Sequence, residues 1–297
     1  MAGIMQLWRR RRWQRDTQAL AAYEGLKPMV VVTGGSEGIG YALARRFAAG
    51  GNDLILVARR REPLKAAAQS IRTEFAVEAV AVPADVTGPN AIPAIEAALA
   101  AQRAYADVLV NSAGMGLAGP FHDQAPDAIA QLLDLNVRAL TALTRHFLAG
   151  MRVRGRGGIL NLSSLGAYAP GPNQAVYYAS KAYVQSFSEA IASETAGEGV
   201  RITAVAPGPV NTRFHARMGA EHALYRYLVA PSAPDSVARA GYYGFALGLR
   251  VVVPGLINPF LALAMRILPH RIVIPIVGVL LKQRGSSASD ARGQIPR

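Results

Sequence analysis

Tyr177 and Lys181 stand four residues apart in Tyr177-Tyr178-Ala179-Ser180-Lys181. On a helix that spacing puts both side chains on one face, one turn apart. An ammonium held near a phenol favours the phenolate. It draws the tyrosine pKa from about 10 toward working pH, where the group both donates and accepts protons. Such pairs also arise by chance, so their surroundings matter. Ser163-Ser164 closes an apolar run upstream, Asn136 lies further up, and a glycine-rich turn stands near the start of the chain.

That turn is Thr33-Gly34-Gly35-Ser36-Glu37-Gly38-Ile39-Gly40, preceded by Met29-Val30-Val31-Val32 and followed by apolar residues at helical spacing. The pattern predicts strand, tight turn, helix. Glycines let the backbone approach a pyrophosphate, and the free amides at the helix N-terminus supply positive potential for it. The spacing is Gly-x-x-x-Gly-x-Gly rather than the commoner Gly-x-Gly-x-x-Gly. A plain glycine-rich turn without a ligand is the alternative reading.

In order and spacing, these motifs resemble the short-chain dehydrogenase/reductase family. The match includes the turn from Thr33 to Gly40 and Asn111-Ser112-Ala113-Gly114, with Ser112 where the family has a second Asn. It continues through Asn136, Ser164, Tyr177, Lys181 and Pro207-Gly208, and spans residues 28–253. The resemblance implies hydride transfer between a nicotinamide and a carbonyl or alcohol carbon. Tyr177 would be the general acid in reduction. Lys181 would tune it and hold the nicotinamide ribose, Ser164 would bind the substrate oxygen, and Asn136 would anchor a water in a proton relay. Tyr178 and Ser163 compete with Tyr177 and Ser164 but fit the family spacing less well.

The resemblance also assigns cofactor contacts. Gly34, Ser36, Glu37, Gly38, Ile39 and Gly40 would line the pyrophosphate. Asp85 and Val86 would meet the adenine, and Asn111, Ala113 and Gly114 would border the cofactor. Pro207, Gly208, Val210 and Thr212 would cradle the nicotinamide. For Asn111, a purely structural tie between strands is an equally good reading. Cofactor choice rests on the second strand, which ends Val57-Ala58-Arg59-Arg60. An enzyme selecting the unphosphorylated cofactor places Asp or Glu there; Ala58 removes that carboxylate, and Arg59 and Arg60 suit a 2′-phosphate. Glu37 dissents, because many NADP-preferring relatives carry a basic residue at its position. The expected cofactor is NADP(H).

These residues need a scaffold, and the chain between them alternates strand and helix. Strands are expected at 29–33, 53–58, 78–82, 107–111, 158–163, 200–206 and 251–253. Helices are expected at 38–50, 61–75, 89–103, 125–136, 138–154, 177–196 and 234–248. Alternation of this kind predicts an α/β fold: one Rossmann-type, doubly wound parallel sheet of about seven strands with helices on both faces. The organisation expected is a basic N-terminal extension (1–27), the catalytic domain (28–253), an apolar-basic helical extension (254–284) and a loose tail (285–297).

The 297 residues carry no cysteine, which excludes disulfides, thiolate metal sites and cysteine nucleophiles. A net charge of +13 invites nucleic acid or anionic membrane as partner. No basic helix with interleaved aromatics appears, so nucleic acid is not expected. Trp8 and Trp13 flank four arginines, a composition suited to a membrane interface or to an arm packed on the domain. The apolar stretch 251–281 is interrupted by Arg266, His270 and Arg271, so neither uncharged piece reaches the roughly 20 residues of a spanning helix. Two short amphipathic helices, lying on a membrane or packing on the protein, are expected instead. The loop 165–174 and the segment 214–229 are apolar and aromatic, which suits a greasy carbonyl substrate; His215 and His222 read as surface or lid residues. The expected setting is cytoplasmic, at the inner membrane face, as a homodimer or homotetramer. An NAD-linked alcohol dehydrogenase and a non-catalytic cofactor sensor are the competing readings.

Overall fold

A computed structural model describes residues 17–220, 224–225 and 231–282. Residues 1–16 of the N-terminal extension, His222, most of 221–230 and the tail lie outside the described residues.

Seven apolar segments form β1 (Lys27–Thr33), β2 (Asp53–Ala58), β3 (Ala79–Pro83), β4 (Ala104–Asn111), β5 (Gly157–Leu162), β6 (Val200–Val205) and β7 (Val251–Val252). They pair in parallel in the order β3-β2-β1-β4-β5-β6-β7. Runs such as Val30-Val31-Val32 and Leu54-Ile55-Leu56-Val57 are apolar without alternation because both faces are covered. On one face lie α2 (Gly38–Ala49), α3 (Arg61–Phe75) and α9 (Pro234–Ala246), through Leu43, Phe47, Leu64, Ile71 and Phe245. The other face carries α4 (Ala91–Ala101), α6 (Leu140–Arg154) and α7 (Ala175–Glu194), through Ile95, Leu143, Phe147 and Ile191. The expected doubly wound architecture is therefore the observed one. Short helices α1 (Thr17–Ala21) and α8 (Phe214–Arg217) precede β1 and follow β6.

Several boundaries differ from expectation for physical reasons. Strand β4 begins at Ala104, because Lys27 and Pro28 of β1 pair with Ala104 and Tyr105. The helix expected to break after 136 does not break. Helix α5 (Pro126–Leu133) runs into α6 through a π-helical turn, Asp134–Ala139, that contains Asn136. No proline or glycine interrupts 127–149, so the chain widens locally instead of stopping. Beyond β7 the apolar stretch folds into α10 (Asn258–Ile267) and α11 (His270–Leu281). Pro259 sits in the first turn of α10, where its missing N–H costs nothing.

Strand order reverses between β1 and β4, which are neighbours in the sheet but lead to opposite sides of it. The crevice beyond their carboxyl ends is where such folds hold ligands. The glycine-rich turn and Asn111-Ser112-Ala113-Gly114 both open into it.

Candidate active site

The turn after β1 is built for close approach. Gly34 has φ +67°, and a Cβ there would stand 2.9 Å from the Ala113 amide nitrogen. A Cβ on Gly40 would run into the Gly34 carbonyl oxygen. Thr33 locks the two loops together: its Oγ1 accepts from the Ser112 and Ala113 amides at 3.1 and 3.2 Å. Glu37 starts α2 but makes no side-chain cap. The first amides of the helix, over Gly38, Ile39 and Gly40, are left to an outside anion. Ser36 lies partly buried in the turn just before it.

Beyond β2 the arginines meet carboxylates. Arg60 Nη2 donates to Glu37 Oε1 at 2.7 Å, and Arg217 of α8 donates to the same oxygen. Those two arginines, Arg217 foremost, hold the Glu37 carboxyl below its usual range. The Glu37 dissent thus has a structural answer: its charge is matched by two guanidiniums, one more than it needs. Arg59 is largely exposed, with Nη1 4.0 Å from Asp85 Oδ2. Asp85 Oδ1 accepts from the Thr87 amide and hydroxyl at 3.0 and 2.7 Å, and Val86 packs partly buried against the core. This donor set fits a phosphorylated dinucleotide: arginines and no carboxylate end β2, beside an uncapped helix start.

Asn111 is buried at the end of β4, with its amide nitrogen engaged in the protein interior. Its Nδ2 donates to Asn161 Oδ1 at 2.9 Å and Thr144 Oγ1 at 3.1 Å, and Asn161 continues the chain to Ser188. This buried relay ties β4 to β5 and α7, which is the strand-tie reading.

The proton-handling groups converge at the end of β5. Ser164 Oγ accepts from the Gly166 amide at 3.1 Å and hydrogen-bonds the Tyr177 phenol. Lys181 Nζ lies 5.9 Å from the centre of the Tyr177 ring and donates to the Leu162 carbonyl at 2.8 Å. Asn136 bridges elements: its Oδ1 accepts from the Met115 amide, while Nδ2 donates to the Met115 carbonyl and to Ser180 Oγ. A Cβ on Gly114 would touch both Asn136 Oδ1 and Lys181 Nζ, at 3.3 and 3.6 Å. The helical spacing read from the sequence is met, since all of 175–194 is helix.

One expectation needs correcting. The lysine does not draw the phenol downward in this geometry. Burial pushes Tyr177 up to about 12, with the Ser164 hydrogen bond pulling partly back, and burial pushes Lys181 down to about 8. Desolvation by burial is the largest influence on each of the two groups. The competing residues are engaged elsewhere. Ser163 Oγ donates to the Lys181 carbonyl, and the Tyr178 ring is wedged against Gly166 and Gly171.

Beyond β6, the Leu165 amide donates to the Pro207 carbonyl at 2.8 Å. Val210 is buried, and Thr212 Cγ2 lies 3.4 Å from where a Gly38 Cβ would be. Gly208 rests on Asn258, a buried residue at the start of α10 whose Nδ2 donates to the Pro254 carbonyl at 2.5 Å. Sequence reasoning missed Asn258, Ser180 and Arg217, because each acts through a partner distant in the chain. Phe214 stands 5.6 Å from the Tyr177 ring, and His215 hydrogen-bonds Tyr225. Helix α11 closes this side, packing Val273, Val277 and Leu281 on Ala169, Tyr178 and Tyr225.

Comparison with known proteins agrees with this geometry. The NADP-dependent 3-hydroxy acid dehydrogenase YdfG of Salmonella typhi is 36% identical over 183 residues, 61% of this chain and 72% of its own. A short-chain dehydrogenase from Sphingobium yanoikuyae, solved in complex with NADPH, superposes with TM-score 0.70 at 34% identity, covering 77% of this chain and 88% of its own. The bulky-bulky ketone specific alcohol dehydrogenase of Comamonas testosteroni superposes with TM-score 0.67 at 29% identity, covering 77% and 86%. The family profile for short chain dehydrogenases matches residues 28–223, so the chain belongs to that family of oxidoreductases.

Proposed function

We propose that the protein reduces the carbonyl of a hydrophobic ketone, with NADPH as hydride donor and Tyr177 as proton donor. The observation that carries this reading is the meeting of a Ser164-bonded Tyr177 phenol and a buried Lys181 ammonium beside the crevice. When bound, NADPH supplies the hydride to the carbonyl carbon. Tyr177 gives its proton to the carbonyl oxygen, so that ketone becomes secondary alcohol. A phenol pushed up to about 12 is protonated at neutral pH, as a donor must be. Ser164 steadies the charge that grows on the oxygen, and Lys181 holds the phenolate left behind. Asn136 fixes the Met115 backbone and, through Ser180, the first turn of α7.

The cofactor preference rests on Arg59 and Arg60, which follow Ala58 at the end of β2, and the NADP-dependent relative and NADPH-bound structure support it. Apolar surroundings support the substrate class. Phe214, Tyr178 and the roof of α11 suit a lipid-like, 3-oxoacyl or steroid-like ketone, and the ketone-specific relative acts on bulky substrates by its name. In this reading 28–253 is the catalytic unit and the flanking segments are accessories. The exposed faces of α6 and α7 would join copies into a homodimer or homotetramer. The protein would work in the cytoplasm in peripheral contact with membrane; no helix among the described residues is long and apolar enough to cross one. Mixing protein with NADPH or NADH and ketones of graded bulk tests the proposal. NADPH should be consumed, faster with bulkier apolar ketones. Exclusive use of NADH, or a preference for small polar ketones, would refute it.

A further inference from the structure

Helices α10 and α11 each bury one apolar face and expose another. Ala262 of α10 and Val273, Val277 and Leu281 of α11 are buried. Turned outward are Leu256 (92% exposed), Ile257, Phe260 (74%), Ile267 (70%), Ile272 and Ile276. Their steps of three and four put Phe260, Leu263 and Ile267 on one stripe of α10, and Ile272, Ile276 and Val279 on one stripe of α11. A helix packed on a globular protein in water ordinarily turns polar residues outward, so this doubled apolarity calls for a covering partner.

Charge decides which partner. No Asp or Glu occurs from Ser236 to Ser289, whereas Arg266, His270, Arg271 and Lys282 lie in or beside the two helices and are exposed. An anionic surface complements an apolar stripe edged by cations. A second copy on the same face would bring Arg266 and Arg271 of each chain together with no carboxylate between them. The helices are also too short to leave the surface and span.

The inner side of α11 packs on Ala169, in the loop between Ser164 and Tyr177, and on Tyr178, the neighbour of Tyr177 on α7. We propose that α10 and α11 form an interfacial docking face that seats the enzyme on an anionic bilayer and turns its substrate entrance toward ketones dissolved there. This rests on the reductase reading for its substrate, but the docking face stands on its own observations.

The test is flotation of the full chain with vesicles of phosphatidylcholine alone or mixed with phosphatidylglycerol, alongside reduction of a water-soluble ketone. Wild type should float with the mixed vesicles and be released by high salt. The pair Phe260→Glu and Ile267→Glu, both at exposed positions, should reduce the bound fraction by at least about tenfold and leave water-soluble turnover unchanged. Arg266→Glu with Arg271→Glu should cut binding to the mixed vesicles and not to the neutral ones. Absence of flotation on anionic vesicles overturns the proposal. So does binding that survives in the Phe260/Ile267 variant, which would assign docking to another segment. A wild-type dimer that this variant converts to monomer in sedimentation would make a second copy the occupant. If no ketone is reduced by any form while flotation behaves as described, the reductase reading fails and the docking face stands.

Discussion

Raising the pH through 8 should extinguish ketone reduction without unfolding the protein. Lys181 is 6% exposed, and burial brings its ammonium down to about 8. If the ammonium must be present to hold the phenolate left by Tyr177, half the molecules are competent at about pH 8. By about pH 9 only about one in eleven is, and kcat then falls about tenfold for each further pH unit. The stability effect has the opposite sign. A lysine whose folded pKa lies below its unfolded value of 10.5 leaves the unfolded chain holding more protons between about 8 and 10.5, so stability rises with pH across that window. Loss of turnover there therefore reports chemistry and not denaturation. The assay is kcat against pH with saturating NADPH and ketone, with circular dichroism at each pH. Lys181→Arg keeps its charge throughout, so whatever activity it retains should be flat over the same range. Wild-type kcat that stays constant up to about pH 10 would refute the reasoning.

Two substitutions probe the supports of the site. Glu37→Gln frees Arg60 and Arg217 from their shared carboxylate and should tighten NADPH binding by about two- to fivefold, the scale of an exposed ion pair, with little change for NADH; weaker NADPH binding in a fluorescence titration would count against the arginine assignment. Asn258→Ala removes the buried amide under Gly208 and should destabilise the fold by about 1–3 kcal/mol, seen as a lower denaturation midpoint in urea; an unchanged midpoint would show that α10 does not support the Pro207-Gly208 loop.

The scaffold was legible because its signals are local. The run Met29–Val32, the glycines after it and the alternation that follows specify strand, turn and helix within about twenty residues each. Tyr177 and Lys181 were legible for the same reason: a helix converts a spacing of four into a shared face. What the chain conceals is tertiary. Nothing near Asn258 announces that it lies under Gly208, and nothing near Arg217 announces Glu37, 180 residues earlier. The electrostatics were concealed as well. Spacing brings an ammonium to a phenol, but the direction of both pKa shifts depends on how much water each loses on burial, which spacing does not convey. Asn136 shows a subtler limit, since its turn widens into a π-helix with no residue type to mark it.

The central claim is that one phenol delivers the proton. Tyr177→Phe removes a single oxygen and keeps the ring against Phe214 and Tyr178. With NADPH and a bulky ketone, its kcat should fall by about 10²–10⁴-fold while NADPH affinity stays within about twofold of wild type. Turnover within about threefold of wild type, with the fold intact, would contradict the account.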